Sequence, residues 1–174
     1  ISEEFNRIAL AYPACNMQFF HNKKEILFLR GNNFRQRIVN VIGLKSNEYL
    51  VPVNEETSLV NLSGFICKPE YAKKTRGEQY IFVNNRFIKN YHIQSAISKA
   101  FEGLISENHF PSYFINLKVD AKSIDINIHP TKTEIKFEDE KSIYAIIRSA
   151  VRKSLGQYNI SPSIDFIQEN AFNI

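Results

Sequence analysis

The chain has 174 residues, 44% of them hydrophobic and 23% charged, an ordinary balance for a globular domain and long enough to bury roughly 70% of its unfolded surface in one core. No apolar run approaches the ~20 residues that span a bilayer. Ser2, Glu3 and Glu4 stand where a secretory leader would carry basic residues, so neither a membrane protein nor an exported one is expected, and the cytoplasm is the expected location.

The net charge of +4 and pI near 9 favour a polyanionic partner, mildly. Cys15 and Cys67 sit in no metal-ligand spacing and are expected to be buried, reduced thiols. The chain opens at Ile1 in what reads as mid-helix and closes in a polar tail after Ser161-Pro162-Ser163. The expectation is an excised part of a longer polypeptide: residues 1–12 a helix leading in, 13–156 one domain, 157–174 the start of a linker.

Phe5, Ile8, Ala9 and Tyr12 follow helical spacing, and Pro13 closes that helix. Met17–Phe20 and Ile26–Leu29 are apolar runs on either side of His21-Asn22-Lys23-Lys24, which predicts a hairpin. Asn32 or Asn33 caps a second helix with the stripe Phe34, Ile38, Val41 and Ile42, ended by Gly43 in the left-handed conformation. Tyr49–Val53 and Leu59–Cys67 read as strands, and Lys68–Gly77 as an exposed charged loop. The strand Gln79–Val83 runs into Asn84-Asn85, a pair that tolerates positive φ and suits a tight hairpin turn. Asn90 caps a third helix whose stripe is Ile93, Ala96, Ile97, Ala100, Phe101 and Leu104. Tyr113–Val119, Ser123–Ile128 and Glu134–Phe137 are further strands, and a last helix carries Ile143, Ile146, Ile147, Ala150, Val151 and Leu155 with Gly156 as its stop. Helices mixed with hairpins predict an α+β domain: a mixed sheet with helices on one face.

Between the last two strands lies His129-Pro130-Thr131-Lys132. Ile124, Ile126 and Ile128 alternate with Asp125 and Asn127, the pattern of a half-buried strand, and Pro130 ends any ladder because it has no N–H to donate. Lys132 therefore sits on a braced loop and presents a mobile point charge suited to phosphate. A lone loop lysine is more often plain solvated surface.

Two motifs together carry more information: Tyr80-Ile81-Phe82-Val83-Asn84-Asn85-Arg86 and, after a helix, Ile124-Asp125-Ile126-Asn127-Ile128-His129-Pro130-Thr131-Lys132-Thr133-Glu134-Ile135-Lys136-Phe137. In that order and separation they resemble the MutL family of DNA mismatch repair proteins, in the transducer domain that follows its ATP-binding domain, from about Phe5 to about Leu155. The resemblance implies a ribosomal-protein-like fold with a left-handed βαβ crossover, shared with the matching domain of gyrase B. It implies that Lys132, helped by Thr131, meets the γ-phosphate of ATP held by the preceding domain, with His129 and Pro130 shaping the loop. It also implies a basic DNA groove at Asn85, Arg86 and Lys89. Tyr91 stands where the family often has another basic residue, and is expected to stack or hydrogen-bond instead.

From charge alone, three further groups are open to two readings, DNA contact or solvated surface. They are Arg35 and Arg37, read as lying on the polar side of the second helix, Lys73, Lys74 and Arg76 in the loop, and Arg148, Arg152 and Lys153 on the last helix. The chain carries neither a Gly-rich phosphate loop nor a run of acids spaced for magnesium. The fragment alone is therefore expected to be no enzyme and to bind no cofactor, while the resemblance implies ATP and Mg2+ in the full-length protein. The partners that the resemblance implies are DNA, the mismatch-recognition protein MutS, the chain's own N-terminal ATPase domain and a second copy in the full-length protein. The alternative is a generic basic nucleic-acid-binding module without nucleotide sensing.

Overall fold

The computed structural model describes residues 2–128 and 130–170, with side chains from Glu3 to Tyr158. Helix α1 (Ser2–Ala11) leads into a hairpin of β1 (Met17–His21) and β2 (Lys24–Leu29), then α2 (Phe34–Ile42). β3 (Leu50–Glu56) and β4 (Asn61–Cys67) follow, then β5 (Gln79–Val83), β6 (Arg86–Phe87), α3 (Tyr91–Ala100) and β7 (Tyr113–Lys118). β8 (Ile124–Asp125), β9 (Lys136–Phe137) and α4 (Glu140–Asn170) complete the order. The main sheet runs β3-β4-β7-β5-β6; every pairing is antiparallel except β5 with β7, while β1–β2 and β8–β9 are separate two-stranded ribbons.

The hand of the crossover from β5 through α3 to β7 follows from L-residue stereochemistry. In a strand running upward, a residue whose side chain faces the viewer points its N–H and C=O to the right. Leu117 of β7 faces the α3 side, in one cluster with Ile93 and Ile97, and its carbonyl accepts from Asn84 N at the end of β5. Seen with α3 in front and both strands upward, β5 therefore lies to the right of β7. The chain passes leftward in front of the sheet, a left-handed crossover and an exception to the usual rule.

Helices, expected on one face, lie on both. Ile93, Ala96 and Ile97 of α3 with Ile143, Ile147 and Val151 of α4 cover the face that shows Val53, Leu62, Ile81 and Leu117. On the other face Leu10 of α1 and Ile38 and Val39 of α2 pack on Leu50, Tyr80, Phe82 and Phe114. Strand alternation makes the two-sided burial possible: β5 reads half-buried, then buried at four consecutive residues, the pattern of a strand covered on both faces. The α1 stripe is displaced from the expected one, with Ala9 and Leu10 at 0% exposure while Ile8 and Tyr12 are exposed.

A buried arginine joins α1 and its hairpin to the rest. Arg37 is 0% exposed, not on a polar helix face, and its Nη2 donates to the carbonyls of Pro13 (2.7 Å), Cys15 (2.5 Å) and Arg30 (3.2 Å). Burial lowers its pKa below the ordinary arginine value. Asn32 N donates to Pro13 O at 2.9 Å, and Gly31 N to Asn16 Oδ1 at 2.7 Å, so two loops are zipped beneath the guanidinium. Gly31 is required there, since a Cβ would stand 2.1 Å from Ala14 O. Cys15, on this loop, is exposed; Cys67 is buried as expected.

Three local expectations are corrected. The strand expected at Ser123–Ile128 shrinks to Ile124–Asp125, because Asp125 Oδ1 accepts from Asn127 N at 2.9 Å and closes an Asx-turn. The ladder thus ends before Pro130. Gly43 has φ 129 and ψ 154, outside the left-handed helical well. Gly156 does not stop α4, which continues to Asn170; a helical glycine costs only ~1 kcal/mol, and packing of Leu155 and Tyr158 offsets it.

Two outcomes are expected. Arg37→Ala leaves three carbonyls without their charged donor and should lower unfolding free energy by about 3 kcal/mol; an unchanged urea midpoint would show that the junction does not depend on it. Burial pushes the Cys67 thiol up to about 12 and the Tyr49 hydroxyl up to about 12. Raised folded values stabilise the native state fully below the unfolded values of ~9 and ~10, and that stability is lost as pH rises toward 12. The urea midpoint should stay flat to about pH 8.5 and fall above it, with Cys67→Ala moving the onset toward pH ~10.

Candidate functional site

The turn between β5 and β6 is built as its sequence requires. Asn84 and Asn85 have φ of 48° and 65°, so Val83 pairs with Arg86 across a two-residue type I′ turn. Asn84 clamps the turn to the end of β7: Nδ2 donates to Val119 O and Oδ1 accepts from Val119 N, both at 3.0 Å. Arg86 is left exposed at the tip, and Phe87 beside it packs edge-on to Tyr80 and Phe82 with centroids 6.1 Å apart.

The loop after β8 reaches the same place by a different device. Thr133 O accepts from Lys89 N at 2.7 Å, and Ile135 O accepts from Asn90 Nδ2 at 3.2 Å. Ile135 itself is 5% exposed in the core. Thr131 and Thr133 hydroxyls bond each other at 2.9 Å. Just before the pins to α3's entry, Lys132 takes φ 51° with its side chain exposed. A left-handed conformation costs a β-carbon residue ~1 kcal/mol or more, and glycine would take it without strain.

The two segments open on one cleft of about 300 Å³, lined by Asn85, Arg86, Phe87, Thr131, Lys132 and Thr133. Its far wall is α1, through Glu4, Arg7, Ile8 and Ala11, with Tyr12 just beyond the helix end. Arg7 is a site residue that the reading of the sequence missed. Its guanidinium lies 4.2 Å over the Phe87 ring and pairs with Glu3 and Glu4. The signal was present as acids three and four residues before a base, the spacing of helical ion pairs. Three cations face one carboxylate in this cleft, and that carboxylate pairs with Arg7, so Arg86 and Lys132 have no acid at pairing distance among the described residues.

Of the expected site residues, the structure therefore brings together Asn85, Arg86, Thr131 and Lys132. Pro130 is exposed on the approach to the loop, and His129 lies outside the described residues. Lys89 contributes its backbone to the loop's anchor. Tyr91 is 75% exposed and touches the His92 ring edge-on, at 6.3 Å between centroids. Among the described residues, none of the His, Cys, Asp and Glu side chains gather in threes to hold a metal, and no helix is long and apolar enough to cross a membrane.

A mixed sheet with a left-handed crossover and a cationic turn-and-loop cleft defines an α+β module. The profile of the family described as "DNA mismatch repair protein, C-terminal domain" matches residues 38–156. The DNA mismatch repair protein MutL of Christiangramia forsetii is 54% identical over 170 residues, covering 98% of this chain and 28% of that protein. The Porphyromonas gingivalis MutL is 34% identical over the whole chain, again 28% of its own length. The chain belongs to the MutL family of DNA mismatch repair proteins, and it spans just over a quarter of these relatives.

Solved structures agree on the fold. The N-terminal domain of a DNA repair protein superposes with a TM-score of 0.74 at 18% identity, covering 90% of this chain and 53% of that one. A variant of the Aquifex aeolicus MutL ATPase domain gives 0.58 at 15% identity, with 86% and 49% covered.

Replacing Lys132 with glycine separates its backbone from its charge. Lys132→Gly relieves the left-handed strain but adds freedom to the unfolded chain, so stability should stay within about 0.5 kcal/mol of wild type by thermal unfolding. A loss above ~2 kcal/mol would make the side chain structural and remove the case for an anion.

Proposed function

We propose that this chain is the transducer part of a MutL protein, which delivers Lys132 to the γ-phosphate of ATP bound elsewhere in the polypeptide. The observation that carries the reading is the conformation of Lys132: a strained lysine just before two hydrogen bonds from α3's entry, Lys89 N to Thr133 O and Asn90 Nδ2 to Ile135 O, with its side chain exposed. A rigid loop carrying one positive charge stabilises phosphate before and during transfer with little reorganisation. Hydrolysis removes the counter-charge, so nucleotide state becomes domain geometry. Thr131 helps hold the loop, and His129 and Pro130 shape it.

Arg86, with Asn85, Lys89 and Tyr91 around the turn, contacts DNA through phosphates, which makes binding tolerant of sequence and sensitive to salt. The residues of this chain supply one phosphate contact and not a nucleotide pocket; the full-length protein holds ATP and Mg2+ in its N-terminal ATPase domain, and the fragment by itself does not hydrolyse ATP. MutS and a second copy of the full-length protein are its partners, in the bacterial cytoplasm around the nucleoid.

The test uses the full-length protein. Lys132→Ala should lower ATP turnover by about 100-fold while leaving duplex affinity unchanged. Arg86→Glu should do the reverse and flatten the salt slope of binding by about one. Normal turnover in Lys132→Ala would sink the nucleotide role and leave a basic nucleic-acid-binding module.

A further inference from the structure

We propose that the outer face of α4 is a second phosphodiester-binding surface, separate from the turn-and-loop cleft and independent of the reading of Lys132. The inner face of this helix is spent on the core through Ile143, Ile147, Val151 and Leu155. The outer face carries two adjacent rows at four-residue spacing, Tyr144-Arg148-Arg152 and Ala145-Ser149-Lys153, which line a common hollow. Ala145 and Ser149 are small and make its floor; the long cationic chains make its rim. A ligand backbone can thereby approach the helix closely enough to meet the guanidinium groups and the Ser149 hydroxyl together.

The ion pairs on this side of the domain leave two cations over. Lys99 Nζ bonds Glu102 at 3.0 Å, and Lys153 pairs with Glu55 at 3.4 Å, so those charges are answered. The Lys99 bond and charge, with smaller help from Arg148 and Arg152, hold the Glu102 carboxyl below its ordinary value, which places it within their field. Arg148 and Arg152 are both exposed, and neither has an acid at pairing distance among the described residues.

One helical turn separates them by about 6 Å along the axis, close to two steps of the ~3.4 Å charge spacing along one strand of duplex DNA. Planar guanidinium groups at that interval, beside a neutral hydroxyl donor, fit a run of phosphates. The chain's membership in a DNA mismatch repair family favours DNA over an acidic protein segment as the occupant.

The experiment is duplex binding by the full-length protein, measured by anisotropy with two unrelated sequences between about 50 and about 200 mM salt. Every phosphate that the protein ceases to neutralise should reduce the slope by about 0.9. Arg148→Glu/Arg152→Glu should therefore flatten it by about two and weaken low-salt binding at least ~10-fold for both sequences, adding to the effect of Arg86→Glu. Arg148→Gln/Arg152→Gln should give the same change in slope without charge reversal, and unchanged thermal unfolding of both variants assures that the fold is intact. An unchanged slope and affinity in both double variants would overturn the proposal, whether the face then proves to be solvated or to hold an acidic protein segment.

Discussion

The architecture depends on one buried guanidinium. Arg37 takes a charge to 0% exposure and sets one nitrogen, Nη2, against three carbonyls from two loops, while Nε and Nη1 are buried without a hydrogen-bond partner among the described residues. A buried charge without that geometry would cost several kcal/mol; with it, Pro13, Cys15 and Arg30 are held at one point. Those residues are the exits and entries of α1 and the β1–β2 ribbon, which share no ladder with the main sheet. The position of α1 against β5 and β6, and hence of Arg7 over Phe87, follows from this knot together with the packing of Leu10 and Ala11.

Where single residues dictate local geometry, the sequence was readable. Asn33 and Asn90 cap α2 and α3, accepting from Gln36 N at 2.8 Å and Ile93 N at 3.0 Å, and Asn84-Asn85 forms the expected turn. The α3 stripe is buried from Ile93 to Phe101, its next member Leu104 being exposed. Misreadings arose where distant chain decides. Arg37 sits three residues after Phe34 and four before Val41, on the apolar side of its helix, but its type suggested a solvated face. Only the loops folded over it, 7 to 24 residues away, supply its partners. Asp125 read as the outward member of an alternating strand, while its side chain competes with the ladder by bonding Asn127 N.

The left-handed crossover was legible only through family resemblance, because periodicity carries no hand. The structure shows what the hand does locally. β6 folds back on the outer edge of β5, and α3 starts a few residues after Phe87, so the chain leaving the turn passes directly under the loop that carries Lys132. With the usual hand, α3 would cross the other face of the same strand pair, away from the α4 side where Ile135 and Phe137 are buried. Lys89 N could not then serve Thr133 O.

That shared anchor decides how the cleft can move. Two hydrogen bonds at about 1 kcal/mol each and a buried Ile135 worth about 2 kcal/mol join the lysine loop to the entry of α3. Parting them would cost ~4 kcal/mol, against the ~1 kcal/mol or more of strain stored at Lys132. The loop is therefore held in its left-handed form by its surroundings and does not relax alone. Thr133 is bonded to Lys89 and Ile135 to Asn90, a few residues after the turn bearing Arg86, so loop and turn share one anchor. The two cations of the cleft are thus positioned from one anchor.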